Sequence, residues 1–188
     1  VLGLAMLILG EQEKEYQASV AQLESDFIQT EIVRVRSKVN NMVDLVSYRQ
    51  SIINQELHTR IKRRVDDPHA IAMALYGFYK NSKPEAEIKQ LVVESLRTLS
   101  WNNGESYIWL IDFEGNLQLG PQYLQSMEGK SILHFEDANG RKVIEEEIAI
   151  ATTQGKGFLW DTFTKPSASP DKQFKQLAYI KEMGMFDW

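Results

Sequence analysis

Trp101-Asn-Asn-Gly-Glu-Ser-Tyr-Ile-Trp-Leu-Ile-Asp-Phe-Glu-Gly115 opens the part of the chain that decides the fold. Tyr107 to Asp112 is rich in aromatic and β-branched residues and reads as a strand. Phe113-Glu-Gly-Asn116 supplies a hairpin turn, with Gly115 available for positive φ. Asn116 to Gly120 returns and Pro121 ends it. Asp137-Ala-Asn-Gly140 is a second turn, leading into a helix from about Arg141 to Thr153. Phe158 to Thr164 and Phe174 to Lys181 are two further strands, joined by the Pro/Ser/Lys loop Lys165 to Lys172. This order of elements describes a small antiparallel sheet in an α+β domain.

A helix far longer than that sheet needs precedes it. Between Glu11 and Asp67 there is neither Gly nor Pro, the two strongest helix punctuators. Apolar residues fall at Tyr16, Val20, Leu23 and Phe27. After a phase slip they resume at Ile32, Val35, Val39, Met42 and Val46, and continue through Ile53, Leu57, Ile61 and Val65. That is a stripe of coiled-coil type spanning on the order of 85 Å. Asp66-Asp67-Pro68 predicts a break, with Asp67 as N-cap and Pro68 opening a second helix to about Lys80. Ser82 is predicted to cap a third helix with Glu85 completing a capping box, its apolar side carrying Ile88, Leu91, Val92, Leu96 and Leu99. The division expected is residues 1–10 as the end of a transmembrane helix, 11–67 as a stalk and dimerisation helix, and 68–188 as the sheet domain. Val1 to Gly10 is almost wholly apolar, yet a bilayer crossing needs roughly 20 such residues.

A formal net charge of −5 provides no basic stripe for phosphates and argues against nucleic acid as a partner. With no cysteine, a disulfide scaffold, a thiolate metal site and a cysteine nucleophile are excluded. His58, His69 and His134 fall on three predicted elements without metal-ligand spacing. There is no Gly-x-Ser-x-Gly elbow and no phosphate loop. Glu145-Glu-Glu147 reads as a helix surface run, and Asp137 with Asn139 forms only part of a calcium loop. No cofactor, metal or catalytic residue is expected.

The chain resembles the Cache family of bacterial extracytoplasmic sensor domains, closest to the membrane-distal half of double Cache receptors. The resemblance rests on Arg64-Val-Asp66 with Ala70-Ile-Ala72, Asn102-Asn-Gly104 before Tyr107, Asp112-Phe-Glu-Gly115, Pro121, Glu128-Gly-Lys130 and Asp137-Ala-Asn-Gly140. It continues through Gly155-Lys-Gly-Phe158, Lys165-Pro166, Tyr179-Ile-Lys181 and Phe186-Asp-Trp188. The resemblance implies a long N-terminal helix packed along a PAS-like antiparallel sheet, with the family's closing strand missing after Trp188 and an open edge on the last strand. It also implies a small-molecule sensing domain of a chemotaxis receptor, sensor histidine kinase or diguanylate cyclase. Such a domain faces the periplasm, is held to the inner membrane by a flanking transmembrane helix, pairs through its long helix, and signals by shifting that helix. The alternative is a ligand-independent dimerisation or protein-interaction module, and behind that a secreted enzyme. Where the family often has an aromatic pair in the third strand, a lysine in the fourth and a histidine before the proline, this chain has Asp161 and Phe163, Gln176, and Gly120. Groups suited to a carboxylate ligand are thereby reduced.

Strand alternation sorts the candidate ligand-binding residues. Tyr107, Trp109 and Ile111 share one face of their strand, with Ile108 and Leu110 on the other. Leu159, Asp161 and Phe163 share a face, while Trp160 points away. Tyr107, Trp109, Asp161, Phe163 and Gln176, with His134 on the crossing segment, combine apolar walls with a few polar groups. Asp161 is costly to bury unpaired, so it faces water, pairs with Lys175 or Lys181, or contacts a cationic ligand.

Overall fold

A computed structural model describes residues 2–163 and 173–188. The loop expected at Lys165 to Lys172, with its Lys165-Pro166 pair, lies outside the described residues. The chain divides into two compact units, Val1–Glu56 and Leu57–Trp188. Helix α1 runs from Leu2 to Tyr79 and contributes residues to both. In the first unit its apolar stripe is open to solvent: Tyr16, Leu23, Phe27, Val35, Val39 and Met42 are all exposed. No helix among the described residues is long and apolar enough to cross a membrane.

The predicted break at Asp67 does not occur. Pro68 lies inside α1, and His58 and His69 therefore share one helix. A proline in a helix interior forfeits one backbone hydrogen bond and costs about 3 kcal/mol. Packing overrides that cost here. Ala72 downstream of the proline is fully buried, and Leu75, Tyr76 and Tyr79 pack on the same core. The core joins this last part of α1 to α2 (Glu85–Leu96) through Ile88, Val92 and Leu96. Ser82 also departs from its predicted role. Its hydroxyl donates to the Tyr79 carbonyl, so it closes α1, and Pro84 holds the N-cap of α2 with no side-chain capping bond.

The predicted first strand is two fragments. β1 (Ser100–Trp101) pairs with β2 (Ser106–Tyr107) around a turn in which Asn102, Asn103 and Gly104 all have positive φ. After Ile108 and Trp109 the chain re-enters extended pairing as β3 (Leu110–Ile111), antiparallel to β4 (Leu117–Leu119) with a shift of register between Leu110 and Ile111. The hairpin turn forms as the sequence predicts. The Asp112 carboxylate accepts the backbone N–H groups of Glu114 and Asn116 and the side-chain amides of Asn116 and Gln118. Gly115 sits at φ +83°, where an added Cβ would lie 2.6 Å from Leu133 Cβ.

Helix α3 (Val143–Gln154) ends on Gly155 in the left-handed conformation and feeds β5 (Lys156–Phe163). β5 pairs antiparallel with β6 (Phe174–Lys181) from Lys156↔Lys181 to Phe163↔Phe174. Among the described residues β5 and β6 pair only with each other, as do β3 and β4. The C-terminal turn completes the core: Met183, Phe186 and Trp188 are buried against α1 and α2, and Phe113 N–H donates to the Asp187 carbonyl.

Candidate ligand-binding site

A cavity of about 230 Å³ lies within the second unit. Its walls are Arg64, Pro68 and His69 of α1, the run Ser106 to Ile111, Glu147, Ile148 and Ala151 of α3, and β6 from Gln176 to Lys181. Tyr107, Trp109 and Ile111 line the cavity, and so do Ile108 and Leu110. The expected strand is interrupted between Tyr107 and Leu110. In β5 the alternation of faces is regular: Leu159 and Asp161 are buried and Trp160 is exposed.

Helix α3 brings the strongest electrostatic feature. Glu147 is 4% exposed, and its Oε1 has no hydrogen-bond partner among the described residues. Burial, reinforced by the charge of Asp161, pushes its carboxyl up to about 8. The expected surface run is therefore surface at Glu145 and Glu146 only. Glu145 meets His134 and Lys142, and Glu146 pairs with Arg141. The helical spacing Ile144, Glu147, Ile148, Ala151 carries the signal that places Glu147 inward.

Asp161 does not face water, and among the described residues it pairs with no lysine. It is 8% exposed with Oδ1 unpartnered among the described residues, while Lys181 binds Asp66. Burial and the neighbouring Asp137 push its carboxyl up to about 6, although Arg141 opposes the shift. Asp137 itself is fully satisfied. It accepts the N–H groups of Asn139, Arg141 and Thr162 and the Thr162 hydroxyl, and these bonds hold its carboxyl down to about 2. This carboxylate pins the turn before α3 to β5 beside Asp161.

An aromatic run adjoins the two acids. The Tyr123 hydroxyl donates to the Tyr107 hydroxyl at 2.8 Å. The Tyr107 ring stands edge-on to Trp109 at 6.4 Å and to Tyr123 at 6.0 Å, and Tyr123 lies 6.3 Å from Phe163. Burial pushes the Tyr107 hydroxyl far above its ordinary range, so it stays protonated. Of the six predicted site residues, Tyr107, Trp109 and Gln176 line the cavity. Phe163 lies on a neighbouring recess that it shares with Tyr107 and Tyr123. Asp161 is buried in β5, and His134 is exposed, bonded to Glu145 at 3.0 Å.

On the α1 side, Lys181 Nζ donates to Asp66 at 2.7 Å, and Lys62 binds the other carboxylate oxygen. The two lysines hold Asp66 down to about 2. His69 Nε2 donates to the Glu182 carbonyl at 3.1 Å, and burial pushes its pKa down. Arg64 stacks 4.9 Å over the Trp101 ring. The end of β6 is thus tied to α1 at two points.

The profile of the Cache domain family matches residues 12–188. Among solved structures, the chain is similar to a methyl-accepting chemotaxis protein from Vibrio parahaemolyticus, with 25% identity, a TM-score of 0.62, and 77% of this chain and 91% of that one covered. It is also similar to the periplasmic sensor domain of a chemotaxis protein, at 18% identity and a TM-score of 0.62, covering 69% of this chain and 88% of that one. A third is a Cache chemosensory domain solved for the structural basis of carboxylic acid recognition, at 20% identity and a TM-score of 0.58, covering 71% and 92%.

Proposed function

The chain belongs to the Cache domain family, and from that premise we propose that it is the extracytoplasmic sensing domain of a bacterial transmembrane receptor. A small molecule held in the cavity is its signal, and the position of α1 its output. The observation that carries this reading is the cavity's composition: a solute there touches β6 and α1 at once. β6 is in turn fastened to α1 through Lys181–Asp66 and Glu182–His69. A ligand moves such a pair only by binding two arrangements of it with different affinity, and coupling of about 1–3 kcal/mol is typical. The likeness to a methyl-accepting chemotaxis protein supports a chemotaxis receptor as the parent class. The domain then lies on the periplasmic side of the inner membrane. The exposed apolar stripe of the first unit supports pairing of α1 with a second copy. This is a binding module, with catalysis left to whatever output it controls.

The test is a thermal-shift screen of the protein against a broad library of small solutes. At least one compound class should raise Tm in proportion to log concentration, and Gln176→Ala should weaken that response. A protein whose Tm no solute moves is no sensor of small molecules, and the reading fails.

A further inference from the structure

The sequence contains two Asn-Gly pairs, Asn103-Gly104 and Asn139-Gly140. Glycine has no Cβ to shield its amide nitrogen, so in such a pair that nitrogen can approach the asparagine side chain. The fold treats the two pairs differently. Asn139 Nδ2 donates to Thr162 Oγ1 at 3.1 Å, and the Gly140 N–H donates to the Asp137 carbonyl at 2.9 Å. The Asn139 N–H donates to the Asp137 carboxylate, which also binds Thr162 of β5. Asn103 has no such anchors. Its side chain makes no hydrogen bond among the described residues, and Asn103 and Gly104 are both exposed. No atom lies within 4 Å of where a Cβ of Gly104 would stand. Their turn closes only the two-residue strands β1 and β2, which among the described residues pair with each other alone. A ladder that short has few bonds to break, so the turn opens at low free-energy cost.

We propose that Asn103 is a site of spontaneous deamidation and that Asn139, with the same dipeptide, is protected by the fold. When the turn opens, the Gly104 nitrogen attacks the Asn103 side-chain carbonyl carbon. The nitrogen gives up its proton, the Cγ–Nδ2 bond breaks, and ammonia leaves a closed succinimide ring. Water then adds to one of the two ring carbonyls and the C–N bond there breaks. One opening leaves aspartate, and the other leaves isoaspartate, whose main chain runs through the side-chain carbon. Either product places a carboxylate on the recess that Asn103 and Gly104 line with Arg97, Tyr107 and Tyr123. Isoaspartate also lengthens the turn that sets Ser100 opposite Tyr107. The modification therefore reaches the aromatic run through the backbone as well as through charge.

The protein is incubated at mildly alkaline pH in oxygen-18 water, folded and in parallel unfolded in urea. Mass spectrometry of the two Asn-Gly peptides then follows conversion at each site. The unfolded chain supplies the intrinsic rate of each pair. The ratio of folded to unfolded rate should be at least about tenfold larger at Asn103 than at Asn139. Equal ratios, a smaller ratio at Asn103, or an Asn103 left intact while the unfolded chain is converted overturns the inference. Asn103→Asp supplies the new charge without lengthening the main chain. The isoaspartate form, separated by anion exchange, should melt below both the parent and that variant. An isoaspartate form that melts together with Asn103→Asp overturns the effect assigned to the turn.

Discussion

Replacing Glu147 by glutamine should stabilise the unliganded protein, and only above a definable pH. The folded carboxyl is raised from 4.5 to about 8 by burial and by Asp161. The neutral form is thus favoured in the fold, and its contribution is complete below about pH 4.5. That contribution is lost as the pH rises through about 8. At about 1.36 kcal/mol per pKa unit, ionising the buried group costs on the order of 5 kcal/mol. Glutamine has the shape of the protonated acid and never ionises. Near pH 5 the parent and the variant should therefore agree within about 1 kcal/mol, since each buries one neutral polar head. By pH 8.5 the variant should lead by about 2–5 kcal/mol, or roughly 5–15 °C in Tm for a chain of this size. The assay is thermal or urea denaturation in phosphate and borate buffers across pH 5 to 9. Two parallel curves, or a variant less stable than the parent at pH 8.5, would refute the burial of an unpartnered carboxylate at this position.

Three further outcomes follow from other contacts. Lys181→Met removes one of the two lysines that hold Asp66 down to about 2. Asp66 contributes stability above its unfolded pKa of about 3.8 that is lost as the pH falls through about 2, so the variant, which keeps Lys62, should lose about 1 kcal/mol at pH 7. That deficit should close in melts taken near pH 2, and a deficit independent of pH would contradict the latch. Gly115→Ala should cost at least about 2 kcal/mol in urea titrations, because it combines a left-handed backbone with a clash against Leu133. Gly129→Ala, with positive φ but open space around it, should cost about half as much, and equal losses would show that Leu133 does not crowd the turn. Phe27→Asp and Val39→Asp, placed on the exposed stripe of α1, should shift the protein from dimer toward monomer in sedimentation velocity. A parent chain that sediments as a monomer at every concentration would remove the proposed pairing.

The sequence by itself determined the elements whose chemistry is local. The hairpin turn at Asp112 to Asn116 needs one carboxylate and one glycine, and both are visible in order. The β5–β6 pair follows from two alternating runs, and α3 from the run that follows the turn Asp137 to Gly140. The long helix was legible from the absence of glycine and proline. The family was legible because its turn residues recur in sequence, and the residues 12–188 matched by its profile contain them.

Tertiary structure decided what depends on packing against residues far along the chain. Pro68 remains helical because Ala72, Leu75 and Tyr76 are buried against α2 and the C-terminal turn, a gain that local propensity does not contain. The expected strand through Tyr107 to Ile111 is divided because two short pairings with different partners break it. Asp161 was singled out from its apolar strand, but its solvation, and the lysine that fails to reach it, depend on Lys181 being held by Asp66 from α1. Glu147 is the sharpest case. Its helical phase was readable, but two carboxylates were brought to one buried place only by packing α3 against β5. Charge in a sequence is a property of residue type; whether that charge is solvated, paired or stranded is fixed by the low-dielectric surroundings that the whole fold builds around it.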